Sequence, residues 1–210
     1  MKYGILFDLD GTLLDTLEDL ADSVNYALGV YGYPTRTLAE IRSFVGNGAA
    51  KLIALSVPQG ADPAPVLVTF QKYYKDHCQV KTGPYPGILQ ALEDVAGKWP
   101  VAIVSNKPDP AVKALCADCF PGVYALGERA DCPRKPAPDM LYKAMEELGV
   151  EGCVYVGDSE VDVVTAANAG AACVSVTWGF RDEAVLLEAG AKHLCRSVQE
   201  LPGMIKEILF

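Results

Sequence analysis

Two aspartates follow a short apolar run near the start of the chain, and this arrangement limits the possible folds more than any other feature. The run Tyr3–Phe7 is almost continuously apolar, which is typical of a strand buried on both faces of a parallel sheet. Asp8 falls where the burial should end, and Asp10 lies two residues further on. Because ligands of open α/β sheets bind outside the carboxyl ends of the strands, these acids are placed for chemistry.

Two carboxylates this close allow three interpretations. Each charge raises the pKa of the other group, so the pair indicates a bound cation, a shared proton or a solvated turn. Mg²⁺ is the first candidate, because it binds one or two carboxylates together with phosphate oxygens of a substrate. An aspartate can also act as a nucleophile. The alternative is an acidic turn, in which Gly11 supplies an unusual φ and Thr12 a side-chain cap.

Polar residues also follow two later apolar runs. Ser105 comes after the run 101–104. Its hydroxyl and the main-chain N–H groups that follow can bind a phosphate oxygen, or the residue can simply cap a helix. Asp158 comes after the run 154–156 and Gly157. There it can complete an oxygen-ligand site for Mg²⁺, or it can cap the next helix.

Two more charged residues are candidates for the same site. Lys135 lies in a loop that Pro136 and Pro138 stiffen, so its point charge has a defined position, although a lysine in such a loop is more often solvated. Asp162 follows Asp158 by four residues. That spacing is one helical turn, so both acids can face the same cleft.

In order along the chain, these segments resemble the four motifs of the haloacid dehalogenase (HAD) superfamily, specifically of its phosphatases. The first motif is Asp-x-Asp-Gly-Thr-Leu-x-Asp-Thr from Asp8 to Thr16. The others resemble Ser105-Asn106-Lys107, Lys135 within 134–139, and 157–162. The resemblance covers nearly the whole chain, and it implies an α/β fold: a doubly wound, Rossmann-like parallel sheet with a small α-helical cap domain.

The resemblance also implies a role for each residue. Asp8 is the nucleophile, and Asp10 is the general acid that later acts as general base. Lys135 holds the phosphoryl group and Asp8 together. Phosphate binding is assigned to Gly11, Ser105, Asn106 and Lys135. Mg²⁺ is assigned to Asp8, Asp158 and the backbone carbonyl of Asp10, with Asp162 behind these ligands, directly or through water. The dehalogenase branch lacks the acid at the position of Asp10, so phosphate chemistry is favoured.

Residues 15–85 show helical rather than strand signals, which predicts a cap domain, while 1–14 and 86–210 form the core. Capping-box patterns begin at Thr16 and at Thr37, and four helices are expected. Hinges are predicted near 14–16 and 82–86, where glycines and prolines interrupt regular structure.

One loop of the predicted cap is a candidate for substrate contact. Gly46, Asn47 and Gly48 resemble the cap loop of phosphoglycolate phosphatase-like proteins, and nearby Arg42 and Lys51 could meet an anionic leaving group. The alternative is an ordinary connection between helices with solvated basic residues.

From residue 85 onward, strands alternate with helices, as in a parallel sheet with right-handed crossovers. Strands are predicted at 101–104, 123–126, 154–156 and 173–176. A final amphipathic helix over 198–208 is expected to pack on the core rather than to anchor a membrane.

Composition excludes several classes of protein. The net charge of −9 disfavours nucleic acid or an anionic membrane as the main partner. No run of 18 apolar residues predicts a membrane span, and no cleavable signal is expected ahead of the strand predicted at Tyr3–Phe7. Seven cysteines, an odd number, favour free thiols in the cytoplasm. Cys116, Cys119 and Cys132 lack the fourth ligand of a zinc site.

The sequence therefore predicts a Mg²⁺-dependent phosphatase that acts on a small phosphorylated metabolite, with phosphoglycolate the first candidate. A sugar phosphomutase of the same fold and a catalytically silent phosphometabolite-binding protein are the alternatives. Either a monomer or a homodimer is compatible with the sequence.

Overall fold

The computed structural model describes residues 2–210. In chain order its elements are β1 (Tyr3–Phe7), β2 (Leu14–Asp15), α1 (Leu17–Val30), α2 (Leu38–Phe44), α3 (Gly48–Ser56), α4 (Pro63–His77), β3 (Gly83–Pro84), α5 (Ile88–Ala96), β4 (Val101–Pro108), α6 (Asp109–Cys119), β5 (Tyr124–Glu128), α7 (Asp139–Leu148), β6 (Gly152–Gly157), α8 (Glu160–Ala169), β7 (Ala172–Val176), α9 (Glu183–Glu188), β8 (His193–Cys195) and α10 (Leu201–Leu209), with a short 3₁₀ helix at Val198–Glu200 before α10.

Six strands form one parallel sheet in the order β5-β4-β1-β6-β7-β8. The first strand lies at the centre, with Ile5 opposite Val101 of β4 and Val154 of β6. Its side chains alternate between two apolar clusters: Ile5 and Phe7 belong to one, and Leu6 to the other. The first cluster includes residues of α5, α6 and α10, and the second includes residues of α7 and α8. The predicted doubly wound α/β fold is therefore confirmed.

Four helices lie between β2 and β3, and we call residues 15–85 the helical insert. The two short strands are antiparallel, with Leu14 opposite Pro84, so the insert leaves and rejoins the rest of the chain at one place. Helix α4 packs against α1 and α3. The four predicted helices are present, and the Thr37 capping box with Glu40 is formed. The division of the chain into two domains at 14/15 and 85/86 stays a prediction.

Some local predictions differ from the structure. Thr16 precedes α1 but makes no side-chain capping hydrogen bond. The Asp19 carboxylate does not close the predicted capping box either, since it accepts the N–H groups of residues 80–82 at 2.8–3.0 Å. That carboxylate ties the two connections of the insert together. Two short elements were not predicted: β8, a three-residue edge strand, and α9, which has six residues. Among residues 2–210, no helix combines the length and the apolar character that crossing a membrane requires.

Candidate active site

The carboxyl ends of β1, β4 and β6 lie side by side in the sheet, and each carries a residue singled out in the sequence. Asp8, Ser105 and Asp158 all line one cavity of about 390 Å³, as do Asp10 and Lys135. The Asp8 N–H donates to the Val156 carbonyl at 2.8 Å, which fixes the end of β1 against β6. The structure therefore brings the five principal predicted residues to a single site.

The Lys135 ammonium lies between two carboxylates. Its Nζ is 2.9 Å from Asp8 Oδ1 and 2.8 Å from Asp162 Oδ1, and it donates to the Tyr155 hydroxyl at 2.8 Å. Only 2% of Lys135 is exposed. Burial by itself would lower the pKa of this lysine, but Asp162 and Asp8 outweigh burial and raise its pKa. Lys135 is thus a fixed positive charge beside Asp8.

Asp162 is committed to holding that lysine. One carboxylate oxygen accepts from Lys135 at 2.8 Å and from the Tyr155 hydroxyl at 3.0 Å. The other accepts from the Ser159 N–H at 3.1 Å and from the Ser159 hydroxyl at 2.7 Å. The residue is fully buried. This position fits a residue that acts behind the ligands of a metal, and the role itself stays a prediction.

Asp158 is held by two neutral donors. The Thr12 hydroxyl donates to Oδ1 at 3.2 Å, and the Phe180 N–H donates to Oδ2 at 2.7 Å. Burial, followed by the charges of Asp162 and Asp8, raises the pKa of Asp158 well above its usual range. In the metal-free protein, the ionised form of this carboxylate is therefore disfavoured.

The three acids have the character of a site for a divalent cation. Asp8, Asp158 and Asp162 each offer an oxygen atom within 4.8 Å of the others. Burial raises the pKa of Asp8 to about 7, although Lys135 acts in the opposite direction. One lysine does not balance three buried carboxylates, and hard oxygen ligands are those that Mg²⁺ binds. The residues present therefore fit Mg²⁺, with Asp8 and Asp158 as the candidate ligands, since each Asp162 oxygen already accepts two hydrogen bonds.

Gly11 is required where the chain passes Asp158. Its φ is +83°, and a Cβ at this position would overlap the Asp158 carboxylate. We expect Gly11→Ala to lower the free energy of unfolding by about 1–3 kcal/mol through backbone strain and to remove activity by displacing Asp158. Urea unfolding measures the first effect, and release of phosphate, the activity predicted from the sequence, measures the second.

The matched control for Gly11→Ala is Gly32→Ala. Gly32 has a φ of +69°, but nothing lies within 4 Å of the added Cβ. This control should therefore show a similar loss of stability with full activity. Equal activity in the two variants would contradict the proposed reason for Gly11.

Ser105 and Asn106, which follow the segment 101–104, make different contacts. Ser105 lines the cavity, where its hydroxyl can reach a phosphate oxygen, and its oxygen accepts the Lys107 N–H at 3.2 Å. It does not cap α6, whose N-cap is Pro108. The Asn106 side chain is used by the main chain: it donates to the carbonyls of Gly46 and Lys135 and accepts the Lys135 N–H at 2.9 Å. A phosphate contact by Asn106 would therefore come from its main chain.

Lys107 belongs to the second motif but was given no role, and Tyr74 was not predicted as a site residue, yet both line the cavity. Lys107 Nζ donates to both Asp10 oxygens, at 2.8 and 3.0 Å, and lies 4.9 Å from the Tyr74 ring centroid. The strand period of two places Lys107 on the same side as Ser105, which was a usable signal. No sequence signal indicated Tyr74, because it follows Phe70 at helical spacing and resembles a core residue.

Two arginines fasten the helical insert to the rest of the chain. Arg42 of α2 donates to the Gly179 carbonyl at 3.1 Å and pairs with Asp182 at 3.2 Å. In the opposite direction, Arg181 donates to the carbonyls of Arg42 and Val45 at 2.9 and 2.6 Å. The Arg42 guanidinium is therefore already occupied by Gly179 and Asp182. Its predicted contact with substrate is untested, and the residue does not line the cavity.

The predicted glycine loop does reach the cavity. Gly46 and Gly48 line it, with φ values of +120° and +79°. Asn47 precedes α3 without a side-chain capping bond and is not a lining residue. The loop thus approaches the site through its main chain, and its contact with substrate stays a prediction.

Comparison with known proteins gives one consistent result. Residues 5–176 match the model of the haloacid dehalogenase-like hydrolase family. The chain is 34% identical to a phosphoglycolate phosphatase of Cereibacter sphaeroides, over 98% of this chain and 99% of that protein. It is 35% identical to a phosphoglycolate phosphatase of Rhodobacter capsulatus, over 98% of both chains.

A solved structure agrees with these relatives. A crystal structure from Lactobacillus delbrueckii subsp. bulgaricus, provisionally named a phosphoglycolate phosphatase, superposes with a TM-score of 0.91. It is 38% identical to the chain, and the match covers 98% of this chain and 99% of that one. The similarity therefore includes the helical insert as well as the sheet.

Proposed function

This chain belongs to the haloacid dehalogenase-like hydrolases, and we propose that it is a Mg²⁺-dependent phosphomonoesterase that works through an aspartyl-phosphate on Asp8. The family and its relatives named phosphatases indicate the class of enzyme. A small phosphorylated compound is the substrate of such an enzyme. The observation that carries the proposal is the meeting of Asp8, Asp10, Lys135 and Asp158 at one cavity.

Asp8 is the nucleophile in this proposal. Its carboxylate oxygen attacks phosphorus in line, and the bond from phosphorus to the leaving oxygen breaks. Lys135, 2.9 Å from Asp8 Oδ1, provides positive charge where the phosphoryl oxygens must lie. The Ser105 hydroxyl donates to a phosphoryl oxygen. These groups hold the reacting atoms in position, which is most of what phosphoryl transfer requires.

Asp10 handles the proton. It protonates the leaving oxygen in the first step, then removes a proton from the water that hydrolyses the aspartyl-phosphate. Its side chain lines the same cavity as Asp8, is 13% exposed and is held by Lys107, so it has a defined position beside the reacting centre.

Mg²⁺ would be held by Asp8, Asp158 and the backbone carbonyl of Asp10. When bound, it neutralises charge on the phosphoryl group and between the two carboxylates. Thr12 and the Phe180 N–H keep Asp158 in place for this purpose.

The helical insert, 15–85, is proposed to act as a cap domain on the core formed by 1–14 and 86–210. Helices α3 and α4 contribute Leu52 and Tyr74 to the cavity wall, so a substrate in the cavity contacts both parts. Closure would exclude water from the reacting centre.

All seven cysteines are free, which supports a cytoplasmic location.

Phosphoglycolate is the proposed substrate, because two relatives that match this chain over 98% of its length are named phosphoglycolate phosphatases. The test is phosphate release from phosphoglycolate, glycerol phosphate, sugar phosphates, nucleotides and pyrophosphate, each with Mg²⁺ or EDTA. We expect Mg²⁺-dependent release that is fastest with phosphoglycolate. Isomerised sugar phosphate without free phosphate would instead identify a mutase, and no reaction at all would identify a silent binding protein.

We also expect Mg²⁺ to stabilise the folded protein. A ligand at 100 times its Kd adds about 2.7 kcal/mol to the free energy of unfolding, so Tm should rise with Mg²⁺ and fall again with EDTA. In Asp158→Asn the rise should largely disappear, whereas the exposed Asp118→Asn serves as a control and should keep it. Thermal unfolding measures this without substrate. An undiminished rise in Asp158→Asn would place the cation elsewhere.

A further inference from the structure

We propose that Lys107 and Tyr74 form a subsite beside Asp10 for a carboxylate on the leaving group of the substrate. This inference rests on the proposed phosphatase function and adds its determinant of specificity. It defines the preferred substrate class as phosphate esters of small hydroxy acids.

The position of Lys107 follows from its ion pair. Its Nζ lies 2.8 and 3.0 Å from the two Asp10 oxygens, and its side chain is 3% exposed. Because Asp10 is the group that meets the leaving oxygen, the ammonium is next to the place where the leaving group must lie. The Asp10 carboxylate is the ionic partner that compensates the burial of this ammonium.

Tyr74 supplies an independent sign of a missing ligand. The residue is 5% exposed and lines the cavity, and its hydroxyl, although close to the Lys107 side chain, has no partner within hydrogen-bond distance among residues 2–210. Leaving a buried hydroxyl unpaired is unfavourable. Burial raises the pKa of Tyr74, so the group is a neutral donor. An acceptor oxygen on a ligand, close to the Lys107 ammonium, would satisfy it.

The other buried cations of the cavity are already satisfied. Lys135 has two carboxylate partners, and Arg181 has Glu160 and two main-chain carbonyls. Lys75 also lines the cavity, but it is exposed, so water screens its charge. Lys107 has a single carboxylate partner and can take a second, as Lys135 does.

The subsite matches a carboxylate better than a second phosphate. It offers one cation and one neutral donor, which fits two oxygens that share a single negative charge. Much of the remaining wall, formed by α3, α4 and α6, is apolar and includes Leu52, Phe70, Ala111 and Ala114. A single buried polar pair in an apolar wall discriminates strongly between charged and uncharged leaving groups, because an uncharged leaving group leaves the pair unsatisfied.

The test compares two substrates that differ in one group: phosphoglycolate and 2-hydroxyethyl phosphate, in which CH₂OH replaces the carboxylate. We expect wild-type protein to prefer phosphoglycolate in kcat/KM. Tyr74→Phe, which removes one oxygen atom, should lower kcat/KM for phosphoglycolate by about 10-fold or more, the effect of one hydrogen bond to a charged group. For 2-hydroxyethyl phosphate the change should be within about two-fold.

Lys107→Met should lower the preference for phosphoglycolate further, by about 100-fold in the ratio of the two kcat/KM values. Asp10 acts on both substrates, so any effect of the substitution on Asp10 cancels in this ratio of kcat/KM values. The control is Tyr73→Phe, the neighbour of Tyr74, which stacks on His77 at 3.8 Å and does not line the cavity. It should leave both substrates unchanged.

Outcomes separate the two proposals. A Tyr74→Phe protein that loses equally on both substrates, or on neither, would overturn the subsite while the phosphatase stands. Wild-type protein that hydrolyses both esters without preference would do the same. Failure of wild type to release phosphate from any ester of the panel would overturn the phosphatase, and the subsite with it.

Discussion

Asp8→Asn will abolish phosphate release, with a loss of at least ~10³-fold in kcat. The amide is too poor a nucleophile to form a bond to phosphorus, so the aspartyl-phosphate intermediate cannot form. Intact-protein mass spectrometry after an acid quench should detect a phosphoryl adduct in wild type during turnover and none in the variant.

The same substitution should not destabilise the metal-free protein. The folded-state pKa of Asp8 is raised from 3.8 to about 7, mainly by burial. Because the folded protein then binds this proton more tightly than the unfolded chain, ionisation of Asp8 weakens folding as pH rises from about 4 to 7. Asparagine carries no charge to ionise, so at pH 7 in EDTA the Tm of Asp8→Asn should equal or exceed that of wild type.

The control is Asp118→Asn, the same chemical change at an exposed position of α6. It should keep full activity and an unchanged Tm. Full phosphoryl adduct or substantial turnover in Asp8→Asn would show that another group attacks phosphorus. The combination of lost chemistry and retained stability distinguishes a nucleophile from a residue that merely supports the fold.

The convergence of the site could be predicted because it depends on local patterns and one topological rule. Asp8, Ser105 and Asp158 each follow an apolar run, and the carboxyl ends of parallel strands meet at one edge of a sheet. The structure adds that β4, β1 and β6 are immediate neighbours. That order brings these residues to one cavity without any information from the loops.

Contacts between the insert and the sheet could not be predicted. Tyr74 reaches Lys107, and Arg181 reaches Val45, across a packing interface that no sequence period encodes. Asp19 is a second example. Its spacing from Thr16 matches a capping box, which predicted a local hydrogen bond at the start of α1. The carboxylate found main-chain donors 61 to 63 residues away, and such long-range partners override a local preference.

The second large effect is expected at Lys135, whose buried ammonium is the cationic partner of two buried carboxylates. Removing it leaves Asp8 and Asp162 without their cationic partner in the interior. Breaking a buried ion pair by removing one partner costs about 3–5 kcal/mol. For a chain of this size, 1 kcal/mol corresponds to about 2–4 °C in Tm. We therefore expect Lys135→Met to lower Tm by about 10 °C, measured by calorimetry in EDTA.

The loss of activity should be separable from this loss of stability. Lys135→Met should lower kcat by about 10²-fold or more, the effect of removing one preorganised group that stabilises transition-state charge. In Lys135→Met/Asp162→Asn, one of the unpaired carboxylates is gone, so part of the Tm should return while kcat stays low. That result would assign Asp162 to holding the lysine and Lys135 to the reacting phosphoryl group.

Lys143→Met is the matched control for the lysine substitution. Lys143 pairs with Asp131 at 3.3 Å, but its side chain is 37% exposed, and exposed pairs contribute about 0–1 kcal/mol. Its Tm and kcat should therefore remain close to wild type. If Lys135→Met changed Tm no more than Lys143→Met did, the carboxylates around Lys135 would have to become protonated when the lysine is removed. The ion pairs of Lys135 would then contribute little to the stability of the fold.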